Sequence, residues 1–258
     1  MTSFESLVSF FTNAESLLVI GIFVLAGIVK GVVGLGLPTI SMALLALLMA
    51  PVEAAALLIV PSLVTNLWQA QPWGTAVSTL RRLAPMQAGV FAGTLGGAWF
   101  LGAPAGSWAM VSLGGALVAY ALWGLGGQTF SVSAHAQRWV GPAVGVVTGV
   151  VTAATGVFVI PAVPYLQGLG LQRDELVQAM GISFTVSTLA LALGLHINAS
   201  YTFIALGASV LLLLPAVAGM QFGQHLRKKL SPSIFRKVFL GSLVLLGMHM
   251  ILREALLA

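Results

Sequence analysis

The residue whose type and position most clearly suggest chemistry is a lysine inside an apolar helix. Lys30 lies between Val29 and Gly31 in a run that is otherwise hydrophobic. A charge in that setting costs roughly 2.5–3.5 kcal/mol on membrane-insertion scales, so we expect it to face a cavity or a partner. Because no acidic residue lies at comparable depth in any predicted helix, a bound anion would neutralise it. The alternative is a lysine near the helix end whose ammonium group reaches the membrane interface.

Two breaks in the chain would complete an anion site. Gly34-Leu35-Gly36-Leu37-Pro38 and Thr152-Ala153-Ala154-Thr155-Gly156 each precede a short apolar run, and glycine and proline loosen a helix. A half-helix that begins inside a membrane presents free backbone N–H groups and a positive dipole end to an anion. We expect half-helices to begin near Pro38-Thr39-Ile40-Ser41 and near Gly156-Val157-Phe158. Proline suits a first helical turn, where its missing N–H has no helical partner.

Polar residues on the helices after the breaks are candidates for the rest of the lining. Asn66 offers two amide donors to ligand oxygens and is costly to bury without partners, whereas helical Ser and Thr hydroxyls more often bond a carbonyl of their own helix. The predicted substrate-binding residues are Lys30, Gly34, Gly36, Pro38, Thr39, Ser41, Asn66, Gln69, Thr152, Thr155, Gly156 and Ser183. Further candidates on the same helices are Thr65, Thr185, Ser187 and Thr188.

The elements that position these residues are predicted to be transmembrane helices. The 258 residues are 59% hydrophobic and 7% charged, whereas soluble domains carry about 25% charged residues. Eight apolar runs predict full-length spans: 16–35, 52–70, 84–102, 107–127, 139–155, 175–196, 200–223 and 234–256. Two further runs, 38–50 and 157–169, are too short to cross a hydrocarbon core of roughly 30 Å alone, so we expect broken or re-entrant helices. The predicted fold is an all-α polytopic membrane protein, because helices satisfy their own backbone hydrogen bonds in lipid.

An internal repeat divides the chain. Gly27-Ile28-Val29-Lys30-Gly31-Val32-Val33 matches Gly145-Val146-Val147-Thr148-Gly149-Val150-Val151 at five of seven positions, with Lys30 opposite Thr148. A break, a short run, a polar turn with an acid and a full helix follow in both halves, and Gly93 and Gly97 pair with Gly219 and Gly223 as small-residue packing motifs. Because each half holds five elements, an odd number, the second half is predicted to be inverted. Residues 1–130 and 131–258 would then form one transmembrane domain.

The basic residues support this topology. With the N-terminus outside, the residues that fall at the cytoplasmic face are Arg81, Arg82, Arg138, Arg173, Arg227, Lys228, Lys229, Arg236 and Lys237. Short cytoplasmic loops carry such an excess of lysine and arginine. The pattern predicts a multi-pass inner-membrane protein with both termini on the periplasmic side. It also indicates that the net charge of +5 reflects orientation and not nucleic-acid binding.

Enzymatic chemistry has little support in the sequence. The chain has no cysteine, and none of its four histidines has a metal partner at a suitable spacing. We find no Ser/His pairing and no carboxylate pair within the apolar runs that could act in general acid–base catalysis. We therefore predict no catalytic residue, metal or cofactor, and keep a membrane-embedded enzyme as a remote alternative.

Two stretches resemble a known family. The segments Lys30-Gly31-Val32-Val33-Gly34-Leu35-Gly36-Leu37-Pro38-Thr39 and Pro61-Ser62-Leu63-Val64-Thr65-Asn66-Leu67-Trp68-Gln69 resemble the first-half signatures of the TauE/SafE family of sulfite and organosulfonate exporters. The second-half stretch from Gly149 through Pro161 is similar to that family's glycine-rich stretch, so the resemblance covers nearly the whole chain. The resemblance implies a transporter of sulfite, sulfoacetate or a related sulfur anion. Thr152-Ala153-Ala154-Thr155 stands where the family commonly has more glycines, which bears on substrate identity.

The predicted function is export of a small sulfur anion by a secondary transporter. Inverted repeats with a broken helix in each half are how such carriers build a site near the membrane midplane, which each side reaches alternately. An inside-negative potential supplies roughly 2.3 kcal/mol per charge per 100 mV for outward movement of an anion, which favours uniport or weak coupling. The alternatives are an importer or channel for another anion such as thiosulfate, and a non-transporting assembly or sensor protein. The expected partners are the anion and membrane lipid.

Overall fold

The structure is a computed structural model that describes residues 14–127, 130–229 and 231–257. Within these ranges the chain is helical and contains no strand, which confirms the all-α prediction. The helices of the described chain are α1 (Ala14–Val33), α2 (Leu37–Leu45), α3 (Pro51–Gln69), α4 (Trp73–Leu101), α5 (Gly106–Leu125), α6 (Ala134–Thr155), α7 (Ala162–Gln167), α8 (Arg173–Ile197), α9 (Phe203–Leu226) and α10 (Pro232–Leu257). The predicted periplasmic positions of the two chain ends concern residues outside these ranges.

Helix lengths follow the predicted division into long and short elements. The described chain has eight helices of 19 to 29 residues, whereas α2 has nine residues and α7 has six. Six of the long helices, α1, α3, α5, α8, α9 and α10, are long and apolar enough to cross a membrane. The other two, α4 and α6, carry arginine, glutamine, glycine and threonine among their apolar residues. The chain is therefore a multi-pass membrane protein.

Several helix boundaries differ from those expected, among them the start of α4 and the end of α2. Helix α4 begins at Trp73, not near residue 84, and continues through Pro85. Its first turns, up to Arg82, are mostly exposed and mix polar with apolar residues. The hydropathy pattern therefore marks where the continuous apolar part of this helix begins and misses its exposed start. Helix α2 ends at Leu45, short of residue 50, and the chain turns before Pro51 starts the next helix.

The helices pack in reciprocal pairs. Helix α4 lies along α6, and α9 lies along α1. Helix α5 contacts α10, and α3 contacts α8. Helix α3 also contacts α9, while α8 also contacts α4. When α1–α5 are matched in order with α6–α10, the contact of α4 with α6 corresponds to that of α9 with α1, and the contact of α3 with α9 corresponds to that of α8 with α4. The contacts of α5 with α10 and of α3 with α8 each join two matched helices.

Glycines bring the paired helices into backbone contact. A Cβ atom built on Gly27 in α1 would lie 2.9 Å from the backbone nitrogen of Met220 in α9. A Cβ atom on Gly145 in α6 would lie 2.9 Å from the backbone nitrogen of Val90 in α4. Neither position has room for a larger side chain, which is how small residues act in membrane helix packing. The packing role expected for the glycine motifs therefore holds for both helix pairs.

The register of the glycine motifs is one turn away from the expected one. Gly219 and Gly223 meet the backbone of α1, and Gly89 and Gly93 meet the backbone of α6 in the same way. Gly97 instead faces the Cβ atom of Ala153. By these contacts, Gly219 and Gly223 correspond to Gly89 and Gly93. The sequence does not distinguish this register from the expected one, because a series of glycines spaced by four residues looks the same after a shift of about one helical turn.

Candidate functional site

A cavity of about 710 Å³ lies between α1, α3, α8 and α9. Two of these helices, α1 and α9, are the pair held together by glycines, and the other two, α3 and α8, are in contact with each other. The lining combines basic, amide and small residues: Lys30, Gly31, Gly34, Trp68, Gln69, Arg173, Val177, Met220, Gln224, Arg227 and Lys228. Four cations and no acidic side chain line this cavity within the described chain, which suits an anion.

Lys30 lines this cavity from the last turn of α1. Its side chain is only 4% exposed, and its ammonium group donates a hydrogen bond to Oδ1 of Asn66 in α3. Among the described residues no carboxylate pairs with it. An amide oxygen satisfies one N–H but leaves the positive charge uncompensated, and an uncompensated buried charge is expensive. The structure thus favours a lysine that faces a cavity over one that reaches the membrane interface.

Asn66 connects Lys30 to the contact between α3 and α8. It is fully buried, and its Nδ2 donates to Oγ1 of Thr188 at 3.3 Å. The Thr188 hydroxyl in turn donates to the carbonyl oxygen of Phe184 at 2.7 Å. With both ends of its amide engaged, Asn66 holds the Lys30 ammonium group in place at the cavity. Because Lys30 uses one of its three N–H donors here, two remain for a ligand.

The other cations of the cavity come from the ends of α8 and α9. Arg173 begins α8, and Arg227 directly follows α9. Burial and the positive charge of Arg173 lower the pKa of Arg227, while Asp174 raises it. A guanidinium group still keeps its proton near neutral pH. An anion between Arg173 and Arg227 would relieve their mutual repulsion.

Gln69 ties the first break to α8. Its Nε2 donates to the carbonyl oxygens of Gly34, at 3.0 Å, and Val177, at 3.2 Å. Its Oε1 is buried and accepts no hydrogen bond from the described residues. Gln69 therefore fixes the end of α1 against α8 and acts as a positioning residue for the cavity.

The first break has the expected local structure. Gly34 and Gly36 have positive φ angles of 80° and 112°, which only glycine adopts easily, and they end α1 and start α2. Helix α2 begins at Leu37 with Pro38 in its first turn, as expected. The hydroxyls of Thr39 and Ser41 are fully buried and lack hydrogen-bond partners among the described residues.

The second break differs from the expectation. Gly156, with φ of 68°, ends α6, but α7 begins only at Ala162 and not at Gly156-Val157-Phe158. Residues 157–159 are neither helix nor turn, and Pro161 immediately precedes α7. Proline has no backbone N–H, so it is tolerated at the start of a helix but disrupts a helix interior. A helix that began at Gly156 would have Pro161 in its interior. The second half therefore has no half-helix N-terminus at the expected place.

The predicted threonines of the second break bond their own helix. The hydroxyl of Thr152 donates to the carbonyl of Thr148 at 2.8 Å, and that of Thr155 donates to the carbonyl of Val151 at 2.7 Å. Such bonds are common for threonine in helices. Neither residue lines the cavity at Lys30. The break still lies near the first half, because a Cβ on Gly156 would be 3.0 Å from the sulfur of Met42 in α2.

The helices α2, α3 and α8 contribute a group of buried hydroxyls to the interior. Each is fully buried and finds no hydrogen-bond partner within the described ranges: Thr39, Ser41, Ser62, Ser183 and Ser187. Buried hydroxyls are normally paired, so each of these leaves a donor available. Ser183 was a predicted site residue, and it belongs to this interior group and not to the lining of the cavity at Lys30.

The structure thus brings together part of the predicted site. Lys30, Gly34 and Gln69 line one cavity, and Asn66 contacts Lys30. Pro38, Gly36, Thr152, Thr155 and Gly156 shape the breaks and do not line it. The sequence reasoning missed Arg173, Gln224, Arg227 and Lys228 as lining residues, because loop cations were interpreted only as orientation signals. The predicted topology already placed the three cations at one membrane face, and that signal could have identified them.

A comparison with protein-family models identifies a family for this chain. The family model described as Sulfite exporter TauE/SafE matches residues 19–250. This range includes every described residue that lines the cavity. No curated protein and no solved structure gives a significant match. Because the family model covers most of the chain, this membrane protein belongs to the sulfite exporter TauE/SafE family of transporters.

Proposed function

We propose that the protein exports a small sulfur anion, sulfite or an organosulfonate, across the bacterial inner membrane by alternating access. The anion would bind in the cavity bounded by Lys30, with the ammonium group of Lys30 as its main charge partner. Family membership supports the substrate class. The single observation that carries the proposal is the buried lysine, which meets a neutral amide and no carboxylate among the described residues.

The size and chemistry of the cavity support an oxyanion. Sulfite and sulfonates present three oxygens, which accept hydrogen bonds from several donors at once. Lys30 has two free N–H donors, and Gln224, Arg173 and Arg227 supply further donors around the same space. A cavity of about 710 Å³ admits an organic substituent on the sulfur as well as the anionic group. We therefore include organosulfonates with sulfite.

The reciprocal helix contacts support an inverted repeat. Helix α1 meets α9 through Gly27 as α6 meets α4 through Gly145. Glu53 and Glu175 cap the starts of α3 and α8. Asn66 follows Glu53 by the same number of residues as Thr188 follows Glu175. The hydrogen bond between Asn66 and Thr188 then joins two corresponding positions of the two halves. A pseudo-twofold axis would pass through this bond, where carriers of this type place their substrate.

A difference between the two ends of the bundle supports alternating access. The cavity lies at the end of α1 and is bordered by Arg173 and Arg227. At the corresponding place by the end of α6, Thr94 is fully buried, and a Cβ on Gly97 would lie 2.8 Å from the Cβ of Ala153. One end is therefore open and its counterpart is packed. Rocking of one half against the other would exchange the two arrangements.

The distribution of charges supports an outward direction of transport. The positive-inside rule assigns the arginine-bordered end to the cytoplasm, so the open cavity would collect anions from inside the cell. The membrane potential then favours their outward movement by roughly 2.3 kcal/mol per charge per 100 mV. Since no carboxylate lines the cavity within the described chain, we propose uniport or weak coupling.

Efflux of radiolabelled sulfite from proteoliposomes tests the proposal. The protein is reconstituted, the potential is set with potassium and valinomycin, and a pH gradient is imposed or omitted. We expect efflux that saturates, that rises with an outward-driving potential and that does not need the pH gradient. Absence of sulfite, thiosulfate and sulfonate flux would contradict the proposal. Flux that requires the pH gradient would contradict uniport, and flux of thiosulfate alone would favour the alternative substrate.

A further inference from the structure

Two further cavities adjoin at Tyr165 in α7, away from the substrate cavity. One, of about 170 Å³, lies between the part of α4 around Pro85 and the beginning of α6, and it is bordered by Arg82, Gln137 and Arg138. The other, of about 400 Å³, lies between α5, α6 and α7. Tyr165 lines both cavities. They therefore share this side chain as part of their walls, and one cavity is basic whereas the other is apolar.

The apolar cavity has walls without charge. Trp123 and Phe130 meet edge to face, with ring centroids 5.7 Å apart, and Val140 and Val144 of α6 line the same space. Among its described lining residues, only Tyr165 and Trp123 have a side-chain group that can form a hydrogen bond, the phenol hydroxyl and the indole N–H. Phe130 and Val140 are both partly exposed, so the cavity opens at the protein surface. In a membrane protein, hydrocarbon fills such a space most favourably.

The basic cavity fits a phosphate group. Arg82 and Arg138 are both exposed and both line it, and no acidic residue lines it within the described chain. The guanidinium of Arg82 donates one hydrogen bond, at 3.5 Å, to the carbonyl oxygen of Leu169, which leaves its other donors free. Glu175 borders a neighbouring cavity with Arg82, but its carboxylate accepts from the backbone N–H of Gln172 at 3.1 Å. A guanidinium group can donate two hydrogen bonds to two oxygens of one phosphate group.

An exposed tryptophan gives the depth of this site. Trp139 follows Arg138 and is 77% exposed. Tryptophan is enriched at the level of lipid headgroups, so Arg138 lies where a lipid phosphate would be found. Val140 and Val144 continue along the same helix toward the apolar cavity. The order of basic, aromatic and apolar residues along α6 matches the order of phosphate, glycerol and acyl chain in a phospholipid.

We propose that the two cavities form one binding site for an anionic phospholipid. The phosphate lies between Arg82 and Arg138, and one acyl chain lies beside Trp123 and Val144. A free phosphate would use the basic cavity alone, and a zwitterionic lipid would gain nothing from the second arginine. The site connects the loop before α6 with α4 and α7, so a bound lipid would tie together parts of both halves.

Native mass spectrometry of the full chain, purified in detergent and mixed with phosphatidylglycerol, tests the headgroup contact. We expect phosphatidylglycerol to remain bound where phosphatidylcholine does not. Each arginine near an anionic headgroup contributes about a fivefold gain in affinity, so the double variant Arg82→Gln, Arg138→Gln is expected to bind roughly 25-fold more weakly. The matched control is Arg81→Gln, an exposed arginine that lines neither cavity, and it is expected to bind normally. Equal retention of both lipids, or equal loss in the control, would overturn the proposal.

A second pair of variants tests the acyl-chain contact. Val144→Trp fills the apolar cavity, whereas Val147→Trp changes an exposed residue of the same helix that lines neither cavity. We expect only Val144→Trp to release phosphatidylglycerol, and glycerol phosphate without a chain to bind at least tenfold more weakly than the lipid. Ala119→Leu on α5 fills the same cavity and serves if the tryptophan variant does not fold. Unchanged phosphatidylglycerol binding in the filled variant would contradict the lipid site.

Discussion

Substitution of Lys30 by glutamine isolates the charge at the buried edge of the substrate cavity. Glutamine can still donate a hydrogen bond toward Asn66, so the variant loses the positive charge while it keeps a polar donor. A unit charge interacts with an anion about 4 Å away by about 4 kcal/mol at an effective dielectric constant of 20. A neutral hydrogen bond returns about 1 kcal/mol of this. The expected loss of about 3 kcal/mol corresponds to roughly 150-fold weaker binding.

Isothermal titration of the purified protein with sulfite and with a sulfonate measures this loss. The matched control is Lys228→Gln, which removes an exposed cation of the same cavity. At the dielectric constant of water the same charge contributes about 1 kcal/mol, or roughly fivefold. Equal losses in the two variants, or unchanged affinity in Lys30→Gln, would refute the assignment of Lys30 as the main charge partner.

Thermal unfolding of the anion-free protein separates a binding role of Lys30 from a structural one. A lysine inside a membrane helix costs roughly 2.5–3.5 kcal/mol, so its replacement by glutamine is expected to leave the unfolding temperature unchanged or higher. A clear decrease without anion would mean that Lys30 stabilises the fold through Asn66. Such a decrease would contradict a pure binding role of Lys30 even if the variant also lost anion binding.

Three further outcomes follow from the packing and charges. Gly27→Ala is expected to lower the unfolding temperature by several degrees, because its Cβ would meet the backbone of α9, whereas Gly21→Ala has no heavy atom within 4 Å and should be neutral or stabilising in a thermal melt. Asn66→Leu removes the hydrogen-bond acceptor of Lys30, so sulfite efflux should slow and the apparent KM should rise. Efflux kinetics equal to those of the wild type would contradict this role of Asn66. Arg227→Gln should slow efflux more at low than at high ionic strength, because salt screens charges at an accessible cavity edge, and a loss independent of salt would contradict this role.

Much of the architecture could be predicted from the sequence because membrane helices form long hydrophobic runs that hydropathy identifies. The two short helices, the start of α2 at Leu37 with Pro38 in its first turn, and the glycine contacts all followed from local patterns. The polar beginning of α4 did not, because exposed polar turns such as Thr75 to Arg82 resemble loops in composition. The predicted start of α7 was wrong for a related reason, since the five residues between Gly156 and Ala162 have no pattern that distinguishes non-helical chain from helix.

The candidate site was predictable where one residue was unusual. Lys30 stood out because its charge contradicts its apolar surroundings, and Asn66 because its amide needs partners. Arg173 and Arg227 did not stand out, because each lies in a polar turn where arginine is ordinary. Only the packing of α8 and α9 around α1 and α3 shows that these cations face the same cavity as Lys30. Long-range juxtaposition of this kind leaves no mark in local spacing.

Protection of an introduced thiol tests the location of the substrate most directly. The chain has no cysteine, so Val177→Cys places a single thiol in the cavity lining, and an iodoacetamide reagent reports its accessibility. We predict that a sulfonate slows labelling of Val177→Cys with a half-effect at its dissociation constant, and that adding Lys30→Gln abolishes this protection. Labelling that proceeds at the same rate with and without saturating sulfonate, in protein that transports it, would contradict the binding of the anion in this cavity.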